Sequence, residues 1–496
     1  MDRTNLSQDA VALVAGRLAG AMCFLAGMMV LARLLTREQY GLYQQVWLVY
    51  NTVLPFMMMG LPGGVTYFVP QMDTWGQKAV LINTIGILGL GGVITGVGTY
   101  LFADSLAGLL GGQGLGDLLR AFVWYPMVSF PLLAVDVFLI ATHRAKISAE
   151  LAFLSALVQL AAVVIPVWFG YDLASVLIIL TSATLAKLLL FQHLAFYGHR
   201  GTHGSWDLAL LKRQLAYCIP LGLAAVLGTL ALEVDKLIVA GYFSPDRFAL
   251  YEVGARELPF AGIVSGSIMA VLTPEFVRLY SRHEFERVVG LWHAGTIRVA
   301  VIFFPVTAFL LVAAPDLIPL LFSDRYRESV AIFQITLLLL PLRATQYGSL
   351  LMAAGRSRLV LSGSALAMAL KVALNLALIP FFGLHGAAAA TVFTVYLVVL
   401  WLLMHCVRVL EVPFKRVLPW IMLARIALFS AAPAVVAYAF ARVIEPGALR
   451  LGACGLTYAA AAIPFFWLNA ECRDLLRALS VAMAKSIGLE RSGGGR

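Results

Sequence analysis

Long apolar stretches, separated by short polar segments, recur along the whole chain. Among those that carry no charged residue are Ala79 to Ala103, over 25 residues, and Gly386 to Val407, over 22 residues. About 20 apolar residues are enough for a helix to cross a bilayer. The pattern predicts fourteen transmembrane helices, which we place at residues 10–32, 41–68, 79–102, 118–141, 151–169, 173–197, 214–241, 248–274, 288–313, 329–353, 359–380, 386–407, 417–441 and 451–470.

Composition agrees with a polytopic all-α membrane protein. Of the 496 residues, 61% are hydrophobic and 12% are charged, whereas soluble domains have about 45–50% apolar and about 25% charged residues. The loops between the predicted helices are too short for a soluble catalytic domain, so we predict that the chain is not an enzyme. The five cysteines form no Cys-x-x-Cys pair, and we expect no disulfide, no metal site and no cofactor.

The distribution of basic residues predicts the orientation in the membrane. With the amino terminus inside, twenty Lys and Arg fall in cytoplasmic segments and seven in the opposite loops. Because Lys and Arg collect in cytoplasmic loops, both termini are expected in the cytoplasm. The net charge of +10 therefore does not require a nucleic acid partner, and we expect none.

Two parts of the chain resemble each other at a spacing of about 208 residues. The segment LLTREQYGLY (34–43) aligns with YFSPDRFALY (242–251), which pairs Thr36 with Ser244 and Tyr43 with Tyr251. Parallel helical repeats are typical of transporters with a site between the two halves. We therefore predict an amino-terminal lobe at 1–205, a second lobe at 206–410, two further helices at 411–470 and a cytoplasmic amphipathic and disordered tail at 471–496.

Several segments resemble one family of transporters. They are RLLTREQYGLYQQVW (33–47), DKLIVAGYFSPDRFALYEV (235–253), LMAAGRSR (351–358) and NLALIPFFGLHGAAAAT (375–391). Their order and spacing are similar to the Wzx-type oligosaccharide flippases of the multidrug/oligosaccharidyl-lipid/polysaccharide (MOP) exporter superfamily. The resemblance implies a V-shaped bundle in the bacterial cytoplasmic (inner) membrane. Such a flippase moves undecaprenyl-pyrophosphate-linked sugars to the outer leaflet for O-antigen, lipopolysaccharide or exopolysaccharide assembly. Its candidate partners are membrane lipid and a polysaccharide polymerase or co-polymerase complex.

Ionisable residues inside the predicted spans are candidates for function, because each costs about 2.5–3.5 kcal/mol at mid-bilayer. Two local pairs, Glu252 with Arg256 and Glu233 with Lys236, have helical spacing for ion pairs. The cations nevertheless outnumber the acids, which predicts a water-filled cationic cavity for a pyrophosphate headgroup. The nine cations are Arg17, Arg120, Lys187, Lys236, Arg256, Arg298, Arg343, Lys371 and Arg425, and the five acids are Asp136, Glu233, Asp235, Glu252 and Glu257.

The resemblance also suggests particular substrate ligands. In the family the headgroup occupies the central cavity, while the lipid tail leaves through a gap between helices 1 and 8. Those helices carry Arg17 and Arg256, which are therefore the leading substrate-binding candidates. Three further candidates, Arg298, Arg343 and Lys371, follow from their positions inside predicted spans.

The sequence contains no nucleotide-binding Gly-x-x-x-x-Gly-Lys-Ser/Thr loop, so an ion, the membrane potential or the substrate gradient would drive transport. The intramembrane carboxylate Asp235 is a candidate proton or cation carrier. The lipid II flippase branch has a sodium site between helices 7, 11 and 12, but its second carboxylate is Ile379 here. Both H⁺ and Na⁺ stay open, as does simple pairing of Asp235 with a neighbouring base. The resemblance gives as coupling-ion ligands Asp235, Asn375, Thr391 and Thr394.

Two other interpretations stay open at this point. One is a multidrug exporter, or an exporter of another lipid-linked precursor, from the same superfamily. The other is a membrane-embedded subunit or enzyme of a polysaccharide synthase complex, although the short loops disfavour it. The sign of the charge in the cavity separates the flippase from an exporter of cationic drugs, which favours an acidic cavity.

Overall fold

The regular elements of the described chain are all helices. This computed structural model describes residues 20–142, 144–197, 206–345, 347–445 and 447–468, so Arg17 and the predicted tail lie outside the described residues. Three short 3₁₀ helices also occur, at Val69–Gln71, Asp324–Tyr326 and Pro341–Ala344. The α-helices are α1 Gly20–Leu34, α2 Arg37–Met58, α3 Leu61–Phe68, α4 Thr74–Leu101, α5 Ala103–Leu109, α6 Leu115–Ala121, α7 Trp124–Ala141, α8 Ala145–Trp168, α9 Leu173–Tyr197, α10 Leu208–Tyr242, α11 Pro245–Gly254, α12 Pro259–Ser281, α13 Phe285–Phe322, α14 Ser329–Leu337, α15 Tyr347–Ala353, α16 Ser357–Leu410, α17 Phe414–Val417, α18 Trp420–Ala441 and α19 Ala448–Leu468.

Many of these helices suit a membrane by length and composition. Within the described residues nine qualify as spans, or ten if the bent pair Arg37–Met58 and Leu61–Gln71 is one span. In Ile147–Trp168 only 22% of the apolar window is buried in the protein, so most of its side chains need an apolar solvent. The chain is a multi-pass membrane protein, and fourteen spans stay a prediction.

The described chain divides into two compact units. The first unit contains the described residues up to Pro259 together with Leu361–Thr394, and the second contains Phe260–Val360 and the described residues from Val395 onward. Helix α16 therefore contributes residues to both units. The lobe boundaries that we predicted from the repeat, at residues 205 and 410, stay a prediction.

Two predicted spans are broken in the structure. The span expected at 248–274 consists of α11 and α12, because α12 begins at Pro259, whose ring favours a first helical turn and disfavours a helical residue before it. The span expected at 41–68 is interrupted at Met59 and Gly60, both with positive φ. The two parts of that span are bent by 43°.

Helices α2 and α11, which the repeat aligns, pack closely within the first unit. Thr36 is the N-cap of α2, where its hydroxyl accepts a hydrogen bond from the Gln39 amide at 3.2 Å, and Ser244 is the N-cap of α11. A Cβ at Gly41 would collide with the backbone carbonyl of Pro245. This contact therefore requires a glycine on α2.

Helix α16 is interrupted in the part that belongs to the first unit. Gly383 has φ 58° and ψ −135°, which is not helical, and a Cβ at Gly386 would collide with the carbonyl of Leu378. The chain reverses at this break, as the separate predicted helices 359–380 and 386–407 require. The break divides α16 into two arms. Lys371 on the first arm and Thr391 on the second arm both contact the carboxylate of Asp235.

The second unit has its own buried core and a buried ion pair. Its core includes Phe276, Trp292 and Leu350, which are almost fully buried. Asp316 on α13 accepts two hydrogen bonds of 2.5 Å from the guanidinium of Arg450 on α19. This two-pronged contact fixes α19 to α13.

Candidate functional site

Asp235 on α10 and Lys371 on α16 form a buried ion pair in the first unit. Each residue is 5% exposed, and the Lys371 Nζ lies 2.9 Å from the Asp235 Oδ1. The same ammonium donates to the carbonyls of Ala231 at 3.0 Å and Leu232 at 3.4 Å. The three N–H donors of Lys371 therefore all have partners.

The second carboxylate oxygen of Asp235 is also engaged. Its Oδ2 accepts hydrogen bonds from the Tyr251 hydroxyl at 2.8 Å and the Thr391 hydroxyl at 3.0 Å. We call Asp235, Lys371, Tyr251 and Thr391 the Asp235 centre. Because every donor and acceptor in it is matched, the centre offsets the cost of burying two charges.

The other two coupling-ion candidates lie on the same helix as Thr391. The Asn375 side-chain amide donates to the Lys371 carbonyl at 2.7 Å, while its Oδ1 is buried without a partner among the described residues, as is the Thr394 hydroxyl. The structure thus places two of the four candidates, Asp235 and Thr391, in direct contact. Within the part of the chain that is described, no group of three His, Cys, Asp or Glu residues is arranged to hold a metal ion.

A second charge network starts one residue after Asp235. The Lys236 ammonium lies 3.4 Å from Glu233 and 3.5 Å from Glu252, and Glu252 also accepts a short hydrogen bond from the Arg256 guanidinium. Two cations therefore share two carboxylates. The pairs expected from helical spacing are present, and Lys236 links them into one network.

This network borders a cavity of about 350 Å³ in the first unit. We call it the Arg256 cavity. Its lining comes from α1, α2 and α8, and from Lys236, Glu252 and Arg256. The aromatic ring of Trp47 and the amides of Gln44, Asn51 and Gln159 also face it. It is a mixed polar and apolar pocket, of the kind that binds small molecules or headgroups.

Two hydrogen-bond donors in this lining have no partner among the described residues. They are the Nε of Arg256 and the Nε2 of Gln44, and Gln44 is only 6% exposed. A buried donor left unpaired costs about 1–3 kcal/mol. The N–H groups at these two atoms are therefore available to donate hydrogen bonds to the oxygens of a bound molecule.

The structure separates the five predicted substrate ligands. Arg256 lines the cavity, whereas Arg17 lies outside the described residues. Arg298 on α13 is exposed and belongs to the second unit. Arg343 lies half-buried in the 3₁₀ helix Pro341–Ala344, where its carbonyl accepts from the Ser265 hydroxyl at 2.9 Å. Lys371 does not line the Arg256 cavity, and its ammonium binds Asp235 and two carbonyls.

The expected excess of intramembrane cations is smaller than the sequence count indicated. Arg120 pairs with Asp104 and Asp117, two acids that we assigned to a loop. Lys371, Lys236 and Arg256 have carboxylate partners as well, so the described lining of the Arg256 cavity is nearly balanced in charge. A ligand in the cavity would therefore meet hydrogen-bond donors at fixed positions rather than a strongly positive electrostatic potential.

From the sequence, pairing of Asp235 with a neighbouring base stayed open, but the identity of this base, Lys371, was missed, and so was Tyr251. The signal for the pairing was present, because Asp235 and Lys371 are isolated opposite charges in apolar spans and favour each other there. Tyr251 carried no comparable signal. Its role follows from the packing of α11, which brings its hydroxyl to the carboxylate.

Comparison with known proteins gives a family match and structural relatives. A family model described as Polysaccharide biosynthesis protein matches residues 30–331, and no curated protein matches the sequence. The lipid II flippase MurJ in an inward closed conformation aligns with a TM-score of 0.73 over 95% of this chain and 99% of that chain, at 13% identity.

Two transporters described as members of the MOP superfamily also share the architecture. An inward-facing multidrug resistance MATE family transporter aligns with a TM-score of 0.63 over 79% of this chain and 95% of that chain, at 15% identity. A transporter from Pyrococcus furiosus, described as having a binding pocket of reverse polarity, aligns with a TM-score of 0.53 over 82% of this chain and 96% of that chain, at 13% identity. The chain has the fold of these transporters.

Proposed function

The chain belongs to the polysaccharide biosynthesis protein family, and on that premise we propose that it flips an undecaprenyl-pyrophosphate-linked oligosaccharide to the outer leaflet of the membrane. The lipid II flippase with the same fold supports a lipid-borne cargo. The observation that supports the proposal most directly is the Arg256 cavity, where buried N–H donors of Arg256 and Gln44 have no acceptor among the described residues. Pyrophosphate and sugar hydroxyls supply such acceptors.

In this proposal Arg256 binds a phosphate oxygen of the headgroup. Glu252 holds one edge of the guanidinium, which leaves Nε and the remaining N–H groups for the ligand. A planar guanidinium suits a phosphate because two parallel hydrogen bonds can form. Because the negative charge of Glu252 offsets the positive charge of Arg256, the phosphate is recognised by hydrogen-bond geometry more than by net charge. The headgroup can therefore still be released on the other side of the membrane. Arg17, three residues before the described start of α1, is a second candidate for the same headgroup.

Sugar units of the cargo would contact the rest of the lining. The amides of Gln44, Asn51 and Gln159 offer donors and acceptors, and Trp47 offers an aromatic face. With a volume of about 350 Å³ the pocket matches a headgroup with one or a few sugars rather than a long glycan. Arg298 and Arg343 are proposed to contact the cargo at another stage of the transport cycle.

We further infer that the Asp235 centre couples transport to an ion. Both carboxylate oxygens are engaged by Lys371, Tyr251 and Thr391, so Lys371 already supplies the positive charge that a metal cation would bring. This favours H⁺ over Na⁺ as the coupling ion. A proton on Asp235 neutralises the carboxylate and so releases Lys371, whereas a sodium ion would need oxygen ligands that are free to bind it. Asn375 and Thr394, with unpaired oxygens, would accept hydrogen bonds from the released ammonium.

The proposal places the protein in a bacterial cytoplasmic membrane with both termini inside. It acts as a transporter rather than an enzyme, and a polysaccharide polymerase or co-polymerase complex would consume its product. The family assignment and the excess of Lys and Arg in one set of loops support this arrangement.

The test is a reconstituted assay with the purified full chain. Vesicles carry a fluorescent undecaprenyl-pyrophosphate oligosaccharide in both leaflets. A lectin added outside binds only the molecules in the outer leaflet, so the growth of the lectin-bound fraction with time reports flipping. We expect protein-dependent flipping of this lipid and none of the same lipid lacking the pyrophosphate. Efflux of a cationic dye with no flipping would instead identify a multidrug exporter. No movement of either would point to a subunit of a synthase complex.

A further inference from the structure

A second cavity lies in the second unit, where the short helix α17 leads into α18. Its volume is about 550 Å³, and α13 forms the opposite wall. Three basic residues line it, Lys415, Arg416 and Arg425, together with the single acid Glu286. It shares no lining residue with the Arg256 cavity.

The basic residues of this second cavity outnumber its one acid, Glu286, so the described lining keeps a net positive charge. Lys415, Arg416 and Arg425 are exposed, and none of them forms an ion pair within the described chain, in contrast to the paired cations of the first unit. Arg425 lies five residues inside α18, a helix apolar enough to cross a membrane. An unpaired cation at that place is costly unless an anion or water accompanies it.

Further hydrogen-bonding groups point to an anion. His293 on α13 lines the cavity, and its Nε2 is buried without a partner among the described residues. Pro419 and Trp420, at the amino-terminal end of α18, line it as well. The amino-terminal end of a 22-residue helix carries partial positive charge that adds to that of the three basic side chains.

The surroundings are those of a membrane interface. Trp420 is 40% exposed and Ile421 is 74% exposed at the start of the span, and the Trp420 ring stacks on Phe414 with centroids 5.4 Å apart. Tryptophan is enriched at the level of lipid headgroups. The basic residues of α17 also lie in a loop that we predict to be cytoplasmic, the side on which basic pockets between transmembrane helices bind anionic headgroups.

We propose that this cavity binds the phosphate headgroup of an anionic membrane lipid. Arg425 and Arg416 offer guanidinium donors to the phosphate oxygens, Lys415 adds a third charge, and His293 offers its Nε2. The exposed apolar side chains beside the cavity, Ile421 and Phe414, suit the acyl chains of the same molecule.

The test is native mass spectrometry of the full chain in detergent, titrated with phosphatidylglycerol or with phosphatidylcholine. One anionic lipid should bind at least about tenfold more tightly than the zwitterionic lipid, since each nearby base contributes about fivefold. The Lys415→Gln/Arg416→Gln/Arg425→Gln variant should lose this preference. The Lys212→Gln/Arg213→Gln variant is the matched control, because it removes an exposed basic pair in the first turns of α10, and it should keep the preference.

Two further measurements keep the test decisive. Lys415→Gln/Arg416→Gln changes only residues before the span, so it serves if the triple variant fails to fold, and it should lower the preference by about fivefold or more. Inorganic phosphate and glycerol 3-phosphate serve as soluble competitors. An unchanged preference in the double or triple variant, an equal loss in the control variant, or displacement of the lipid by equimolar soluble phosphate would overturn the proposal.

Discussion

The ammonium of Lys371 lies 2.9 Å from the Oδ1 of Asp235, and the two residues are 136 positions apart in the chain. The contact joins α10 to the first arm of α16, on one side of the break at Gly383. Thr391, on the other arm, binds the second oxygen of the same carboxylate. A single buried carboxylate thus joins four helical segments of the first unit, α10, α11 and the two arms of α16, so a change in its charge would affect the packing of all four.

The first prediction concerns the stability of this pair. Lys371→Met leaves the Asp235 carboxylate buried without its base, which should lower the free energy of unfolding by about 3–5 kcal/mol. Asp235→Asn/Lys371→Met removes both charges and should be more stable than Lys371→Met alone. Thermal unfolding in detergent measures the order of the midpoints. If the loss of stability in the double variant equals the sum of the losses in Lys371→Met and Asp235→Asn, the two residues do not interact.

The second prediction concerns coupling. In proteoliposomes, wild-type flipping should slow when the pH gradient is collapsed and should not respond to a sodium gradient at constant pH. Asp235→Asn should lose the response to pH, because its side chain cannot take up the proton. Thr66→Ala, a change on the separate helix α3, is the control and should keep the response. Stimulation of the wild type by sodium would instead favour Na⁺ as the coupling ion.

The third prediction tests the packing of α2 on α11. Gly41→Ala should destabilise the protein, because the new methyl group meets the Pro245 carbonyl and backbone cannot move aside cheaply. The matched control is Gly98→Ala on α4, where a Cβ would meet nothing within 4 Å. That substitution should be neutral or stabilise by about 0.5–1 kcal/mol, since alanine favours helix over glycine. Equal melting temperatures for the two variants would argue against the close contact.

Much of the fold follows from the sequence, for reasons that these residues illustrate. Uninterrupted apolar stretches predict where helices form, and the break at Gly383 falls between the predicted helices 359–380 and 386–407. The break before Pro259, in contrast, lies inside the span predicted at 248–274. The close contact of α2 and α11 could not be predicted, since nothing local distinguishes Gly41 from other helical glycines. Its need for a small side chain arises only when Pro245 approaches it in space.

The candidate site was predictable in part. Local spacing predicts the pairing of Glu252 with Arg256, and the structure has it. Counting charges per span failed for Arg120, because its partners lie outside the predicted span, Asp117 on the same short helix α6 and Asp104 on the neighbouring helix α5. The side-chain donors of Gln44 and Arg256 could not be identified from the sequence. Their burial without a partner among the described residues is a property of the packed structure.

The central claim is that Arg256 and Gln44 bind the headgroup of a lipid-linked cargo. The most direct measurement is the initial rate of flipping of labelled undecaprenyl-pyrophosphate oligosaccharide by vesicles containing Arg256→Ala or Gln44→Ala, at equal amounts of folded protein. Hydrogen bonds to charged groups contribute about 1.5–3 kcal/mol, so Arg256→Ala should slow flipping about tenfold or more at low substrate concentration. Gln44→Ala should have a smaller effect, and Arg213→Ala, at an exposed site on α10, should flip like the wild type. Wild-type rates in both cavity variants would contradict the account.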